Sequence, residues 1–237
     1  MTSLVQPVRV FIDPVEGTPA AVEARRWVWP LLILALCVSA SGTLFSLRWD
    51  ATPDVIRELQ ASGEMATISE ADLTDKIQTT TRKALVGGIA KGVFVMPMVA
   101  LLLAAILWVV SWLFDRPAHF EQLMSVAALA LLPIALYHAV LTLCIAAQHT
   151  LSVARVAQLV PSHLGAFLGT LSPKMARVAS TVDFFNLWST GLLGLGFAAA
   201  TGMPRGRALL LALVLYVMFA GVLMVGLPGA EMAGGGR

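Results

Sequence analysis

The sequence is poor in charge and in cysteine. Charged side chains make up 13% of its 237 residues, the formal net charge is +2, and only two cysteines are present. So small a net charge, with no basic stripe between aromatic residues, excludes a nucleic-acid partner. Cys37 and Cys144 both lie in apolar runs, which excludes a disulfide framework and a zinc finger.

Recognisable catalytic motifs are missing as well. The chain contains no phosphate loop, no nucleophile elbow, no HExxH motif and no pair of carboxylates inside an apolar run. We therefore expect a protein that is not an enzyme and that uses no cofactor and no metal. The remaining classes are a protein that acts through contacts with other proteins and a transporter or channel.

Long apolar runs are what the sequence does contain. Hydrophobic residues make up 58% of the chain, and the mean hydropathy is +0.82. The densest run, 84–114, has Lys91 as its only charge. A bilayer core about 30 Å thick needs roughly 20 apolar residues in a helix, and unalternated runs exclude a barrel. The chain is therefore predicted to be an all-α integral membrane protein.

We predict a bundle of five transmembrane helices with a helical extramembrane insertion between spans one and two. Residues 1–26 form an N-terminal polar segment, 27–227 the membrane domain, and 228–237 a glycine-rich tail that we expect to be disordered. The segment 152–180 is too polar and interrupted to span, so short interfacial helices are expected there. The predicted spans are about 27–47, 87–114, 121–147, 183–200 and 207–227.

The insertion, 50–83, carries signals for two helices. Thr52 is expected to cap the first helix, and Gly63 to end it. Ser69 and Asp72 form a capping-box pattern that starts the second helix. If that helix continues through the second span, its roughly 45 residues measure almost 70 Å, about twice the thickness of the membrane. The second helix is then expected to project far out of the bilayer.

Ionisable residues inside the spans are candidates for function because their burial is costly. Lys91 lies near the start of the second span, where it either neutralises a partner carboxylate or reaches back to the interface. His138 and His149 are eleven residues apart, so we expect them on one helical face. Two imidazoles alone do not make a metal site. The expected role of His138 is that of a core histidine bonded to a helix carbonyl.

Asp183 is a polar residue at the start of the fourth span. A capping box with Ser180 accounts for it without a function. The alternative is a functional ion pair with Lys174 or Arg177. The sequence leaves both interpretations open.

Small residues recur every four positions in the last two spans. Such faces let helices approach closely, either within one chain or between partners. Together with Asp183 and Lys91, they are the candidate contact sites. The members of the two faces are Gly194, Ala198 and Gly202, and Ala208, Ala212 and Ala220 with Tyr216.

A series of landmarks follows the chain from about residue 13 to 227. They are Asp13-Pro14, the acidic helix Ile68 to Lys83, the span Gly87 to Phe114, the run Phe120 to Val126, Leu132-Pro133, the run Asp183 to Trp188, Gly194-Leu195-Gly196 and Met203. Their order resembles the Ypt-interacting-protein (Yip) membrane-domain family, and in particular its bacterial members. The Asp-Leu-Tyr-Gly-Pro and Gly-Tyr motifs of the eukaryotic trafficking members are absent, so the resemblance does not extend to Rab binding.

The resemblance implies a five-helix domain with a cytoplasmic N-terminus in the bacterial inner membrane. It also implies an accessory or scaffold subunit that accompanies an ABC-type efflux exporter with a permease, an ATPase and a periplasmic adaptor. Expected partners are membrane lipids and other membrane proteins, namely the ABC permease or adaptor. A small transporter or channel that acts on its own is the alternative.

Overall fold

The structure is a computed structural model that describes residues 10–168, 175 and 179–225. In these ranges the chain forms helices with two isolated β-bridges and no strand. The predicted tail, 228–237, lies outside the described residues. The α-helices are α1 Pro14–Glu23, α2 Val28–Arg48, α3 Thr52–Ser62, α4 Glu70–Ala90, α5 Met96–Leu113, α6 Phe120–Ala130, α7 Leu132–Ala146, α8 Val153–Leu159, α9 Phe184–Thr201 and α10 Arg205–Val225.

Four helices are long and apolar enough to cross a membrane, judged by length and composition. They are Val28–Arg48, Glu70–Leu113, Phe120–Ala146 and Arg205–Val222. The all-helical membrane fold is thus confirmed, and four of the five predicted spans coincide with these helices.

The fourth predicted span is the exception. It corresponds to α9, which has 18 residues and would extend about 27 Å. Asn186, Ser189 and Thr190 lie in its first half and lower its hydropathy. Because α9 is not among the four helices above, the count of five spans stays a prediction.

The extramembrane insertion forms the two predicted helices. In α3, Val55 and Leu59 are buried, with 1% and 0% exposure, and α3 packs on α4. The helix ends at Gly63, whose φ of 76° is left-handed, a conformation that glycine adopts at little cost. The predicted stop at this glycine is confirmed.

The caps of the two helices differ from each other. Ser69 Oγ accepts a hydrogen bond from the amide of Asp72 at 3.2 Å, which confirms the predicted start of α4. The prediction for Thr52 was wrong. Its amide donates to Asp50 Oδ1 at 3.0 Å, so the aspartate two residues earlier satisfies an amide at the start of α3.

The second span belongs to a helix that is continuous over 44 residues, Glu70–Leu113, or about 66 Å. The second helix of the insertion therefore does continue through the second span. A π turn at Lys91–Val95 joins α4 to α5, and the amide of Met96 donates to the carbonyl of Lys91. Pro97, which cannot donate a hydrogen bond, follows immediately.

The third span is divided between α6 and α7. Leu131 ends α6 with φ −87° and ψ −3°. Pro133, in the first turn of the next helix, has no N–H that could donate a hydrogen bond to the carbonyl of Leu129. The missing hydrogen bond explains a break at this position. Pro133 thus marks a boundary between two helices within the third span.

The chain divides into two compact units. One contains the segment ending at Pro30, Leu101–Pro133 and the segment starting at Ser162, and the other contains Leu31–Ala100 and Ile134–Pro161. In the second unit, an isolated bridge joins Trp49 to Leu151. The amide of Leu151 donates to the carbonyl of Arg48 at 2.9 Å.

The first unit has an apolar core to which the N-terminal helix contributes. Val10 and Val22 are 0% and 1% exposed and belong to the same buried cluster as Leu123, Val126 and Phe197. Helix α1 packs on both α6 and α9. Residues 1–26 had been assigned to a polar segment outside the membrane domain. The apolar face of α1 instead completes the core of this unit.

Candidate helix-contact sites

Helices α9 and α10 approach each other closely at Gly194. A Cβ atom on this glycine would lie 2.8 Å from Leu209 Cα and 3.2 Å from the carbonyl oxygen of Ala208. Distances this short leave no room for a methyl group. Gly196 meets α6 in the same way, since its Cβ would lie 2.9 Å from a methyl group of Val126.

Three other members of the small-residue faces lie inside the same unit. Ala198, Ala208 and Ala212 are 8%, 0% and 3% exposed and belong to its buried core. These side chains are covered by the chain itself, so they cannot meet a partner in this conformation. Of the two interpretations that the sequence left open, the structure supports intramolecular packing for these residues.

Gly202 has a different role from the one that its spacing indicated. It ends α9 in a left-handed conformation with φ 65°, and its carbonyl accepts a hydrogen bond from Arg116 Nη1 at 2.8 Å. It is therefore a C-cap and not a member of the packing stripe. The recurrence every four residues was coincidental at this position.

Asp183 caps α9 directly. Its Oδ1 accepts from the amide of Phe185 at 2.8 Å and from that of Asn186 at 3.2 Å, and the hydroxyl of Ser162 donates to its Oδ2. The predicted capping box with Ser180 is wrong, because the aspartate itself occupies the N-cap position. The proposed partners Lys174 and Arg177 lie outside the described residues.

Tyr216 lies near the same helix end. Its hydroxyl donates to the carbonyl of Thr181, which ties α10 to the segment before α9. The same segment is also joined to the chain around His163, which forms an antiparallel bridge with Asp183. In this bridge the amide of Leu164 donates to the carbonyl of Val182 at 2.8 Å. Asp183 and Tyr216 therefore fix the start of α9.

Lys91 is exposed and lies at the first position of the π turn. Among the described residues, no carboxylate forms an ion pair with it. The neutralisation of a partner carboxylate by Lys91 therefore stays a prediction.

The two histidines do not share a helical face. His149 is exposed and follows the end of α7 at Ala146, so the predicted alignment with His138 is wrong. His138 Nδ1 lies 2.7 Å from the hydroxyl of Ser41, so a side chain takes the place of the expected helix carbonyl. Within residues 10–168, 175 and 179–225, no three His, Cys, Asp or Glu side chains form a group able to hold a metal.

A close helix crossing in the second unit was missed from the sequence. Gly88 and Gly92 of the long helix are four residues apart, and a Cβ on Gly88 would lie 2.8 Å from the carbonyl carbon of Gly42. A Cβ on Gly92 would overlap Ser39 Oγ and the carbonyl oxygen of Ala35, and it would lie 2.8 Å from the amide nitrogen of Ser39. This is a GxxxG contact of the kind common between membrane helices. The glycine spacing was the signal that could have revealed it.

The sequence that forms these helices was compared with known protein families. A family model described as the Yip1 domain matches residues 8–227. The chain belongs to the Yip1 domain family. The Yip1 domain includes α1, because the matched region begins before that helix and extends beyond α10 at Val225. Its N-terminal helix is therefore part of the domain, in agreement with its place in the buried core.

No curated protein and no solved structure matches this Yip1 domain significantly.

Proposed function

We propose that this Yip1 domain is a non-enzymatic accessory or scaffold subunit with five spans, which acts through contacts with other membrane proteins. We place it in the bacterial inner membrane with a cytoplasmic N-terminus, and we propose an ABC-type exporter as its partner complex. The resemblance to bacterial Yip proteins supports the choice of partner. The contact role itself rests on an observation of the structure, the ordered helical projection.

The projection consists of α3 and the first turns of α4. Lys76 Nζ lies 3.6 Å from Glu58 Oε1 and 3.5 Å from Glu64 Oε2, so one lysine joins α4 to α3 and to the turn between them. The projection and the second span belong to one helix. A partner that binds the projection would therefore contact the same helix that forms the second span.

The charge of the projection suits a basic partner surface. Residues 50–83 contain seven carboxylates and four basic side chains. Glu70 and Asp75 are exposed, and neither forms an ion pair within the described part of the chain. These carboxylates would contribute to the rate and specificity of association.

The apolar faces of the spans support contacts within the membrane. Only 17% of the most apolar window of Glu70–Leu113 is buried inside the protein, and the value for Arg205–Val222 is 11%. Lipid covers such faces in a lone subunit. In a complex, the helices of a permease would cover part of them.

Purification of the full chain in mild detergent, followed by mass spectrometry, tests the proposal. We expect a permease, an ATPase or an adaptor to be recovered in stoichiometric amounts. The double variant Glu70→Gln/Asp75→Asn should release its partner at a lower salt concentration than the matched control. The control is Glu16→Gln/Asp115→Asn, whose carboxylates lie outside the projection. Equal loss in both variants, or no stoichiometric partner for the wild type, would contradict the proposal.

Hydrogen exchange tests the projection itself. If it is an ordered binding element, the amides of 50–83 should exchange slowly in the purified protein, because both helices are capped and packed together. Fast exchange throughout this segment would remove the observation on which the proposal rests.

A small transporter or channel is the second candidate. The observation in its favour is the hydrogen bond between Ser41 and His138, a polar pair inside two membrane helices. Flux measurements on the purified chain in liposomes decide between the candidates. Flux that depends on His138 would favour the transporter, whereas an accessory subunit should show none.

A further inference from the structure

We propose that a cleft in the first unit binds the headgroup of a zwitterionic ethanolamine phospholipid. The cleft lies between α1, α6 and the connection from α9 to α10, and its volume is about 520 Å³. Its lining combines apolar side chains, among them Val15, Leu195 and Ala199, with Glu23 and Arg205, which supply charges of opposite sign.

The two charges of the cleft are not used by the fold. Both Glu23 and Arg205 are exposed, and neither forms an ion pair within the described residues, although they line one cleft. The nearby Arg25 pairs with Glu121 at 3.0 Å, which shows that ion pairs do form at this end of the unit. Glu23 and Arg205 therefore remain available to a ligand that carries both charges.

An ethanolamine phospholipid matches these groups one by one. Its phosphate suits the guanidinium of Arg205, which binds phosphate oxygens through paired N–H donors. Its primary ammonium has three N–H donors for the carboxylate of Glu23. A further acceptor is close, because Pro19 lies inside α1 and has no amide for the carbonyl of Val15. Both Pro19 and Val15 line the cleft.

The depth of the cleft suits a lipid and not a soluble ligand. Arg205 is the first residue of α10, and Leu195 lies two turns before the C-cap Gly202, about 10 Å along α9. The lining therefore runs from the end of a membrane helix into the apolar region. Trp27 and Trp29, a few residues beyond Glu23 in the chain, are 36% and 47% exposed, as is usual for tryptophans at the headgroup level.

The same groups select against other phospholipids. A phosphatidylglycerol headgroup offers no cation to Glu23 and leaves that carboxylate next to a second negative charge. A phosphatidylcholine headgroup carries a positive charge, but its quaternary nitrogen has no N–H to donate. Preference for ethanolamine over both is therefore the signature of this site.

Native mass spectrometry of the delipidated full chain in detergent tests the proposal. Palmitoyl-oleoyl phosphatidylethanolamine, -choline and -glycerol are titrated separately, and the dissociation constant of the first bound lipid is compared. We expect the ethanolamine lipid to bind at least roughly tenfold more tightly than the choline lipid, since hydrogen bonds to charged groups are worth about that factor or more.

Two variants test which part of the lipid headgroup each charged residue binds. Glu23→Gln should abolish the preference for ethanolamine over choline and leave the binding of phosphatidylglycerol unchanged or stronger. Arg205→Gln should weaken all three lipids by roughly tenfold. The matched controls Glu16→Gln on α1 and Arg207→Gln on α10 should bind as the wild type does, because neither residue lines the cleft.

A third variant tests the cleft without changing charge. Ala199 is exposed at its wall, so Ala199→Leu should fill space and lower the binding of every lipid while far-UV circular dichroism stays unchanged. The proposal is overturned if the wild type shows no preference for ethanolamine, if Glu23→Gln keeps it, or if the controls lose binding equally. Displacement of the lipid by an equal concentration of glycerophosphoethanolamine would also overturn it, because the site would then bind a soluble phosphoester.

Discussion

The contact between Gly88 and Gly42 allows a sharp test of helix packing, because a second glycine next to it serves as a control. A Cβ on Gly88 would lie 2.8 Å from the carbonyl carbon and 2.9 Å from the Cα of Gly42, whereas a Cβ on Gly87 has nothing within 4 Å. We therefore expect Gly88→Ala to destabilise the protein and Gly87→Ala to leave it as stable as before or more so.

The magnitude follows from a comparison of the two variants. Both exchange glycine for alanine one residue apart in α4, so the gain in helix propensity, up to about 1 kcal/mol, is common to both. Their difference in the free energy of unfolding therefore isolates the steric cost. Overpacking a tight contact typically costs about 1–3 kcal/mol. Here both contacting groups are backbone, which cannot move aside like the end of a side chain.

Unfolding of the full chain by titration with sodium dodecyl sulfate, followed by far-UV circular dichroism, measures the difference. Gly42→Ala meets the same contact from the other helix, since its Cβ would lie 2.7 Å from Gly88 Cα. It should destabilise similarly, and the double variant should be non-additive. A difference below about 0.5 kcal/mol between Gly88→Ala and Gly87→Ala, within the range of neutral substitutions, would refute the reasoning.

Three further predictions concern two other contacts and the orientation of the chain in the membrane. Gly194→Ala should lower stability relative to Gly191→Ala in the same unfolding assay, since only the first methyl group meets another helix; equal stabilities would contradict the close approach. His138→Ala should lower stability by about 0.6 kcal/mol or more through loss of its hydrogen bond, and His149→Ala should not, while the double variant keeps its partner in pull-downs; loss of the partner would favour a proton-linked mechanism. A single cysteine at Ser62 should react with an impermeant maleimide in intact cells if the N-terminus is cytoplasmic, and protection until lysis would reverse the orientation.

Helix starts and stops in the insertion could be predicted from the sequence because they depend on interactions between residues only a few positions apart. The stop at Gly63 and the start at Ser69 depend on backbone conformation and on a side chain that reaches its own helix end. The part of the long helix that ends at Leu113 coincides with a single apolar run, which starts at residue 84. These features need no knowledge of the rest of the fold.

The misread residues depend on distant parts of the chain. Val10 and Val22 are buried against helices more than a hundred residues away in the chain. The short segment around them is polar on average, so its composition did not indicate that one face is apolar. His149 left its predicted face because α7 ended at Ala146, and helix ends are the least certain part of a periodic pattern. Ser41 gave no signal as the partner of His138, since no spacing relates residues on different helices.

The π turn at Lys91–Val95 has a consequence for the length of the helix that contains it. An α-helix turns by about 100° per residue, so the eight steps from Gly92 to Ala100 would place these two residues about 80° apart. The turn absorbs one residue and reduces the offset to about 20°, and both residues are indeed buried. Deletion of one residue from 93–95 should therefore convert the π turn into regular α-helix and keep Gly92 and Ala100 on the same face. Deletion from 96–99 would leave the turn in place and rotate everything beyond it by about 100°, so length variation should be tolerated on one side of Met96 only.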